Sequence, residues 1–333
     1  MLRSDRKADH LRIAAAPGVE HRRGTGLESV RLCHRALPGR DLDAVALTAR
    51  VLGRELAAPL LISAMTGGVA EAGEVNGRLL AAAAEHGIGI TLGSGRRLLE
   101  DPTLLATYRP GGAPRPPLLL ANLGAAQVAG AGGPAHAERL VELLEADGLS
   151  VHLNPLQEAV QPEGDVAFGG VLDGIARLVV RLAPRPVVVK EVGFGLCGAD
   201  VALLHGAGVA AVDVAGAGGT NWALVEGRRD ERSGRVAAAF DDWGLATAEA
   251  LAEAAAAAPE LPRIASGGLR DGVDCAKCIV LGASACALAR PLLPAARADR
   301  VGEALATVLR QLRIATWLTG APSAAALGAE HLA

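Results

Sequence analysis

The segment from His152 to Glu158 is the part of this sequence best suited to chemistry. It reads HLNPLQE, so an imidazole, two amides and a carboxylate fall within one short stretch, and Pro155 stiffens the backbone between them. Mg²⁺ is usually bound by one or two carboxylates together with substrate phosphate oxygens. Glu158 is therefore a candidate Mg²⁺ ligand. The alternative is a carboxylate that only stabilises the first turn of a helix.

A second candidate is Lys190, which interrupts the apolar run PVVVKEVG at 186–193. A lysine in such a run needs an anionic partner once it is buried. One interpretation is a structural ion pair with Glu191 or another nearby acid. The other is a contact with an anionic ring system or a carbonyl group of a bound molecule.

Glycines near the end of the chain indicate where a phosphate group could bind. Gly267 and Gly268 follow one apolar run, and Arg290 ends the next. Small residues allow backbone N–H groups to approach a phosphate closely. A further glycine-rich stretch, GAGGT at 216–220, would suit close approach to a flat cofactor, although alone it predicts only a turn.

The elements that position these residues form a repeating pattern of short apolar runs and longer amphipathic segments. Half of the 333 residues are apolar and only 2% are aromatic, a composition that suits parallel strands buried on both faces. Helical patterns lie between the runs, for example at 75–87, 136–148 and 272–283. Eight such units predict a single (β/α)₈ TIM barrel. The predicted strands are 58–65, 88–93, 117–124, 149–154, 186–193, 210–216, 263–268 and 284–290.

Polar residues stand at seven of the eight predicted strand ends, which is where a barrel carries its active site. A single polar residue at a strand end is usually structural, but this concentration indicates a functional site. The residues concerned include Ser63, Thr66, Ser94, Arg96, Asn122, His152, Asn154, Lys190, Glu191, Asp213 and Ser266.

The division of the chain follows from the first strand. Residues 1–57 are predicted to be an N-terminal arm that crosses the barrel mouth or pads its base, and 58–333 are predicted to be the barrel. In the arm, Arg6, Lys7 and His10 lie near no apolar pattern, so they are either solvated surface or groups that bind a diphosphate.

The charged segment 227–236 predicts a solvated loop, with a mobile lid as the alternative.

Composition excludes several classes. A net charge of −3 gives no support for nucleic-acid binding. Five scattered cysteines do not form a disulfide framework, and Cys275 and Cys278 are expected on one face of a packed helix rather than at a zinc or redox site. The N-terminus is charged and lacks the apolar core of a signal peptide, and no long uncharged apolar stretch follows. The sequence therefore predicts a cytoplasmic protein without a membrane span.

Taken together, the motifs resemble the type 2 isopentenyl-diphosphate Δ-isomerases, a family of FMN-dependent barrel enzymes. The resemblance extends from Arg6 to about Leu293. Two positions depart from the family pattern: Gly95, where many members have Gln, and Asn221, which is commonly Ser. The matching motifs are RKxxH at 6–10, AMTGG at 64–68, GSGR at 93–96, ANLG at 121–124, HLNPLQEAVQPEGD at 152–165, VKEVGFG at 189–195, DVAGAGGTNWA at 213–223 and ASGGLRDG at 265–272.

The resemblance implies a role for each matching residue. It implies that Glu158 holds Mg²⁺, and that Gln157, His152 and Asn154 are catalytic. The implied substrate contacts are Arg6, Lys7, His10, Arg96 and Gln157. The implied FMN contacts are Ala64, Met65, Thr66, Ser94, Asn122, Lys190, Thr220, Gly267, Gly268, Leu269, Ala289 and Arg290.

The resemblance also implies a reaction: interconversion of isopentenyl and dimethylallyl diphosphate, with reduced FMN as the acid–base catalyst and no net redox change. It further implies NADPH or another reductant, and a homo-oligomer, either a tetramer or an octamer. No nucleic-acid or membrane partner is expected.

Two alternatives remain open. An FMN-dependent oxidoreductase of the 2-hydroxy-acid oxidase type would need a histidine base and a carboxylate-binding arginine late in the barrel, yet no histidine occurs between His205 and His331. A non-catalytic flavin-binding or prenyl-phosphate-binding barrel would have no reason to keep the polar cluster at 152–158.

Overall fold

Eight parallel strands close into a barrel, preceded by a short antiparallel pair. The computed structural model describes residues 3–333, and it describes side chains from residue 7 onward. Strands β3 to β10 form the closed barrel in chain order, with β10 paired to β3, so the predicted (β/α)₈ barrel is confirmed. In chain order the strands are β1 Ala49–Val51, β2 Arg54–Leu56, β3 Leu60–Ile62, β4 Gly89–Thr91, β5 Leu118–Gly124, β6 Gly148–His152, β7 Val187–Lys190, β8 Ala211–Asp213, β9 Arg263–Ala265 and β10 Ala285–Leu288.

Helices alternate with the barrel strands, and none in the described part of the chain is long and apolar enough to cross a bilayer. The helices are α1 Arg3–Ala15, α2 Ala70–Glu85, α3 Arg96–Glu100, α4 Leu105–Tyr108, α5 Ala125–Ala129, α6 Gly133–Leu143, α7 Pro155–Val160, α8 Val171–Leu182, α9 Gly198–Gly206, α10 Trp222–Gly227, α11 Glu231–Ala237, α12 Thr247–Ala257, α13 Gly272–Val280, α14 Leu292–Arg297 and α15 Val301–Leu318. Short 3₁₀ turns occur at Leu27–Ser29, Leu42–Ala44, Pro102–Leu104, Ala238–Phe240, Ala324–Ala326 and Ala329–His331.

Two apolar layers hold the barrel together. Alternate strand residues point inward, where Leu61, Leu118 and Val188 form one buried cluster. The other residues point outward and pack beneath the helices in a larger cluster that includes Leu60 and Leu149. Nearly continuous apolar strands are needed because both faces are covered.

The β1–β2 hairpin packs against the base of the barrel. Val51 and Leu56 join the interior cluster from below. Asp147, just before β6, accepts hydrogen bonds from Arg54 at 2.6 Å and Arg115 at 2.9 Å. The base is thereby closed, and the carboxyl ends of the strands are left as the face where the polar residues gather.

Strand register brings those polar residues to one level. His152 on β6 is paired with Lys190 on β7, and Lys190 is paired with Asp213 on β8. Three ionisable side chains from three strands therefore share one rim of the barrel.

The charged segment 227–236 is not a loop, so that expectation was wrong. It contains most of α11, and Asp230 caps this helix by accepting hydrogen bonds from the amides of Arg232 and Ser233. The high charge density reflects the solvated face of a helix, while Ser233 and Ala237 are buried on the other face.

The N-terminal arm also differs from expectation, because it does contain apolar anchors. Leu11 and Ile13 on α1 are buried, and Ile13 packs with Val19, Val225 and Trp222. A two-residue apolar signal in a mostly charged helix is too short to be recognised as a core pattern.

Candidate active site

The predicted site residues surround one cavity at the carboxyl ends of the barrel strands. The cavity has a volume of about 620 Å³. Arg6 is the exception, because its side chain lies outside the described residues. The predicted residues that line the cavity are Lys7, His10, Ala64, Met65, Thr66, Ser94, Arg96, Asn122, His152, Asn154, Gln157, Glu158, Lys190, Thr220, Gly267, Gly268, Leu269, Ala289 and Arg290.

Lys190 is buried at the cavity floor. Its Nζ donates to the backbone oxygen of Glu191 at 2.5 Å. The Glu191 carboxylate turns the other way, and its Oε2 accepts hydrogen bonds from the amides of Val192, Gly193 and Phe194. The Glu191 carboxylate is therefore not the partner of Lys190, whereas the other nearby acid, Asp213, lies next to it on β8, and Lys190 lines the cavity.

Asp213 lies beside Lys190 on the same rim. Burial raises the pKa of Asp213, while the positive charge of Lys190 and a 2.6 Å hydrogen bond from Ser266 Oγ oppose that rise. The hydrogen bond from Ser266 joins β8, next to the strand that carries Lys190, to the glycine loop after β9.

Gly267 and Gly268 are held in the left-handed region, at φ of 95° and 75°. A side chain at Gly267 would collide with the backbone of Gly216, and one at Gly268 would collide with Gly218. Within residues 3–333, the amides of residues 267–269 donate to no protein acceptor. The close packing of two glycine loops therefore leaves backbone donors at the cavity wall, as a phosphate site requires.

Arg290 stands at the end of β10 on the same side of the cavity. Its Nη1 lies 2.5 Å from Glu20 Oε1, and its Nη2 donates to the Ala16 carbonyl at 2.9 Å. Burial raises the pKa of Glu20, but the hydrogen bond and charge of Arg290 hold it below its ordinary value. The arm is thus tied to the predicted phosphate subsite by an ion pair that the sequence did not indicate.

His152 is held as a neutral imidazole. Its Nδ1 lies 2.7 Å from Asn122 Oδ1, so Nδ1 carries the ring proton and Nε2 is left as an acceptor. Desolvation, followed by the positive charges of Lys190 and Lys7, lowers the pKa of His152 to about 3. His152 can accept a hydrogen bond from a bound group at neutral pH, but it carries no charge there.

This neutral histidine predicts a loss of stability in acid. Between pH 6.5 and pH 3, His152 binds a proton in the unfolded chain but stays neutral in the folded protein. The free energy of unfolding therefore falls as the pH falls. From pH 6.5 to 4.5, His152→Asn is expected to reduce that fall by about 2–3 kcal/mol. Urea unfolding of the flavin-bound protein over this range measures it, with exposed His205→Asn as the control. An unchanged pH dependence in His152→Asn would contradict the prediction.

The residues at the start of α7 hold one another in place. Asn154 Nδ2 donates to Gln157 Oε1 at 3.2 Å and to Glu158 Oε1 at 3.0 Å. Glu158 Oε2 accepts from Gln161 Nε2 and from the amide of Asp165 at 2.8 Å. Glu158 thus lies in the first turn of α7 and also lines the cavity. No cluster of three or more potential metal ligands among His, Cys, Asp and Glu occurs in the described residues.

Sequence reasoning missed Glu226. It is fully buried on α10, where its Oε1 accepts from Gln157 Nε2 at 2.7 Å and lies 2.8 Å from His10 Nε2. The available signal was an acidic residue directly after the apolar run WALV at 222–225. Because Glu226 directly precedes the charged segment 227–236, it was not distinguished from the solvated charges there.

The arm lies over the cavity. Lys7 Nζ donates to the Ser94 carbonyl at 2.9 Å, and the buried Tyr108 hydroxyl donates to the same oxygen at 2.8 Å. His10 makes an edge-to-face contact with Trp222, another cavity-lining residue that the sequence did not single out. Arg96 faces the cavity and forms an ion pair with Glu100 at 3.3 Å.

The cysteines take no part in the site. All five are free, and Cys275 and Cys278 are buried on α13, as the sequence predicted.

The fold and the cavity define an α/β barrel with its candidate site at the carboxyl ends of the strands. A model of the FMN-dependent dehydrogenase family matches residues 172–333, the part of the barrel that carries Lys190, Thr220 and the glycine pair. The fold is shared with a mutant flavocytochrome b2 with bound benzoylformate (TM-score 0.69, 18% identity, 98% of this chain and 82% of that chain). It is also shared with an active chimera of (S)-mandelate dehydrogenase (TM-score 0.67, 19% identity, 98% of each chain).

Sequence similarity then identifies the family. The chain is 52% identical over 331 residues to the isopentenyl-diphosphate delta-isomerase of Xanthobacter autotrophicus, covering 97% of this chain and 95% of that protein. The corresponding protein of Nostoc sp. is 48% identical, with 87% and 84% covered, and that of Methanothermobacter thermautotrophicus is 43% identical, with 88% and 82% covered. The chain belongs to the isopentenyl-diphosphate delta-isomerase family, and the resemblance inferred from its motifs is confirmed.

Proposed function

We propose that this enzyme interconverts isopentenyl diphosphate and dimethylallyl diphosphate, with FMN and Mg²⁺ and without net redox change. The observation that carries the proposal is the shared cavity. It joins a flavin-type set of strand ends, marked by Lys190 and the glycines at 267–268, to the polar cluster at 152–158. The relatives named isopentenyl-diphosphate delta-isomerase, at 43–52% identity, support the same substrate class.

The residues present fit FMN. The amides of residues 267–269 together with Arg290 would hold its phosphate, and the Lys190 ammonium would face its ring system. Met65, Thr66, Ser94 and Thr220 line the same cavity between these groups. When bound in its reduced form, FMN supplies the acid–base chemistry for moving the double bond.

The other side chains bind and orient the substrate. Lys7, His10 and Arg96 surround the mouth and would hold the diphosphate. Binding energy from that remote group can position a small apolar tail, which has few contacts of its own. Gln157 is held at both ends of its amide, by Asn154 and by Glu226, so it presents a fixed polar edge to the cavity.

The arm excludes water from the reacting carbons. Leu11, Ala14 and Ala15 of α1 line the cavity, and Trp222 adds an aromatic wall beside them. A protonated alkene carries positive charge, so a site closed to water both protects it and strengthens the surrounding electrostatic interactions.

Glu158 is the proposed Mg²⁺ ligand, together with diphosphate oxygens. We expect Glu158→Gln to lower turnover by about tenfold or more at limiting Mg²⁺, because a charged ligand becomes neutral. FMN content should stay unchanged, since Glu158 lies on α7 and not on the glycine loops. Steady-state rates over a Mg²⁺ titration measure this effect. Wild-type rates at limiting Mg²⁺ would make Glu158 a structural carboxylate only.

The family resemblance alone extends the proposal to NADPH or another reductant that primes the flavin, and to a homo-oligomer that is either a tetramer or an octamer. The charged N-terminus without an apolar core extends it to a cytoplasmic location.

The oxidoreductase alternative is less consistent with the site. Among the described residues, the histidines that line the cavity are His10 and His152. His152 is hydrogen-bonded to Asn122 through its Nδ1, and His10 Nε2 lies 2.8 Å from Glu226. Neither comes from the late barrel strands, where an oxidase of the 2-hydroxy-acid type would need its base. A binding protein without catalysis leaves the linked cluster of Asn154, Gln157 and Glu158 unexplained.

The redox state of the flavin provides the test. We expect purified protein to release free FMN on denaturation, to be inactive on isopentenyl diphosphate when oxidised, and to become active after anaerobic reduction. A visible spectrum and paired assays under air and under reducing conditions measure this. Full activity in air without a reductant would contradict the proposed chemistry, and absence of flavin would contradict the cofactor assignment.

A further inference from the structure

Arg229 is a buried cation directly beneath the active-site cluster. Its side chain is only 7% exposed, and its Nη1 donates to Glu226 Oε2 at 2.8 Å. Its Nη2 donates to Glu163 Oε1 at 2.8 Å, in the segment that follows α7. The guanidinium therefore joins Glu226, on α10, to the segment that follows the polar cluster at 152–158.

We propose that Arg229 is a positioning residue that fixes Glu226, and through Glu226 the Gln157 amide and the covering arm. The inference rests on the proposed function of the cavity. It concerns a residue that neither the sequence motifs nor the cavity lining identifies.

The argument starts with the two oxygens of Glu226. Arg229 occupies Oε2, which leaves Oε1 directed at Gln157 Nε2 and His10 Nε2. Because Gln157 Oε1 accepts from Asn154, only one orientation of the amide satisfies both neighbours. A rotated or protonated Glu226 would remove the acceptor that selects this orientation.

Charge compensation gives the second step. Glu226 has no exposed surface, and a buried carboxylate without a partner is strongly unfavourable. Burial raises the pKa of Glu226, but the His10 imidazole 2.8 Å away and the hydrogen bonds from Gln157 and Arg229 hold it below its ordinary value. Arg229 supplies the permanent charge in this set, because a guanidinium stays protonated at any working pH.

The surroundings of Glu226 contain few other charges. In the part of the chain that the structure describes, α1 presents His10, the end of α10 presents Arg229, and α7 presents the neutral Gln157. Helix α11 packs against the end of α10 through Ser233 and Ala237, which are uncharged. Glu163, in the segment after α7, pairs with Arg229 at 2.8 Å.

Neighbouring residues hold Arg229 in place. The Arg229 amide donates to the Glu226 carbonyl at 3.0 Å, and Asp230 then caps α11. The preceding residue, Arg228, donates to the carbonyls of Pro17 and Gly18 in the arm at 2.8 and 2.7 Å. Consecutive arginines thus connect the end of α10 to the arm and to the cluster.

The test compares Arg229→Gln and Arg229→Lys with Arg235→Gln. Arg235 is a matched control, since it forms an exposed i,i+4 pair with Glu231 at 2.9 Å on the next helix. Arg229→Gln is expected to lower kcat at neutral pH by about tenfold to a hundredfold, with FMN content unchanged. The fall in its kcat at acidic pH should begin about one pH unit or more higher, because the loss of a neighbouring positive charge raises the pKa of Glu226. The kcat and pH profile of Arg229→Lys should lie between those of Arg229→Gln and the wild type. Those of Arg235→Gln should match the wild type.

A merely structural Arg229 would give a different result. If Arg229→Gln lowers the melting temperature but keeps the wild-type kcat and pH profile, the proposal is wrong. Should Arg229→Gln fail to fold, Arg229→Lys provides the second variant. Lysine keeps a positive charge but lacks the fixed fork that bonds Glu226 and Glu163 together, so the fall in kcat at acidic pH should move in the same direction by a smaller amount. A wild-type kcat and pH profile in Arg229→Lys would then overturn the proposal.

A readout without turnover separates this inference from the proposed function. Carbon-13 NMR of glutamate-labelled, FMN-loaded protein can follow the Glu226 carboxyl, assigned by its loss in Glu226→Gln. We expect it to titrate at higher pH in Arg229→Gln than in the wild type, whether or not the protein isomerises the substrate. An identical titration in both proteins would overturn the inference even if isomerase activity is demonstrated.

Discussion

Replacing Lys190 with methionine is expected to lower turnover by about 10²–10³-fold, the usual effect of removing one electrostatic group aimed at the reacting centre. Lys190 is buried at the cavity floor, and its ammonium group is the cation that three strand ends bring beside the proposed flavin ring. Methionine keeps the apolar stem but removes the charge, so the barrel should fold. FMN affinity should fall as well, because an anionic reduced ring would lose its counter-charge.

Lys277 provides the control for that result. It also donates to a backbone carbonyl, that of Leu27 at 2.8 Å, but it lies on α13 and does not line the cavity. Lys277→Met should leave turnover and flavin affinity unchanged. Steady-state kinetics and a flavin fluorescence titration measure both variants. Equal losses in both, or wild-type turnover in Lys190→Met, would show that Lys190 is only a structural lysine.

The second large effect is expected in the arm. Replacing Arg6 and Lys7 together with alanine should raise KM for isopentenyl diphosphate by about tenfold or more per residue. Each lost charge-assisted hydrogen bond costs about 1.5–3 kcal/mol, and about 1.4 kcal/mol is a factor of ten. Lys7 lines the cavity mouth, where its Nζ donates to the Ser94 carbonyl, so its charge lies at the edge where the diphosphate is proposed to bind.

Stability and flavin content should not change in that double variant, because Leu11 and Ile13 continue to anchor α1. Arg12→Ala is the control, since Arg12 is exposed on the same helix and pairs only with Asp9 among the described contacts. Turnover is measured in the same assay as KM. Unchanged kinetics in the double variant would refute the role of the arm, and loss of flavin would place these residues at the cofactor instead.

The sequence predicted the barrel because its strands carry a strong local signal. Each of the eight apolar runs overlaps one barrel strand, and β6 begins one residue before its run, at Gly148. Most runs extend past the hydrogen-bonded strand, as the run 58–65 extends past β3 (Leu60–Ile62) to Ser63 at the cavity rim. Polar residues at those ends were therefore placed correctly at one face.

Contacts between distant segments could not be predicted in the same way. Glu226 and Gln157 lie 69 residues apart, and His10 reaches Glu226 from the other end of the chain. Nothing in the local pattern of either segment indicates a partner, since a charged residue in a short helix usually faces solvent. The helix at 231–237 was missed for a related reason: its capping residue, Asp230, stands inside a run of charges that resembles a loop.

Interconversion of the two diphosphates by the reduced protein tests the central claim most directly. FMN-loaded protein, reduced anaerobically and supplied with Mg²⁺, would be given isopentenyl diphosphate in one sample and dimethylallyl diphosphate in another, and both would be followed by proton NMR. The account predicts that the two samples converge on the same ratio of the two compounds while the flavin remains reduced. It would be contradicted if neither compound were converted, or if the protein instead oxidised a 2-hydroxy acid with stoichiometric reduction of its flavin.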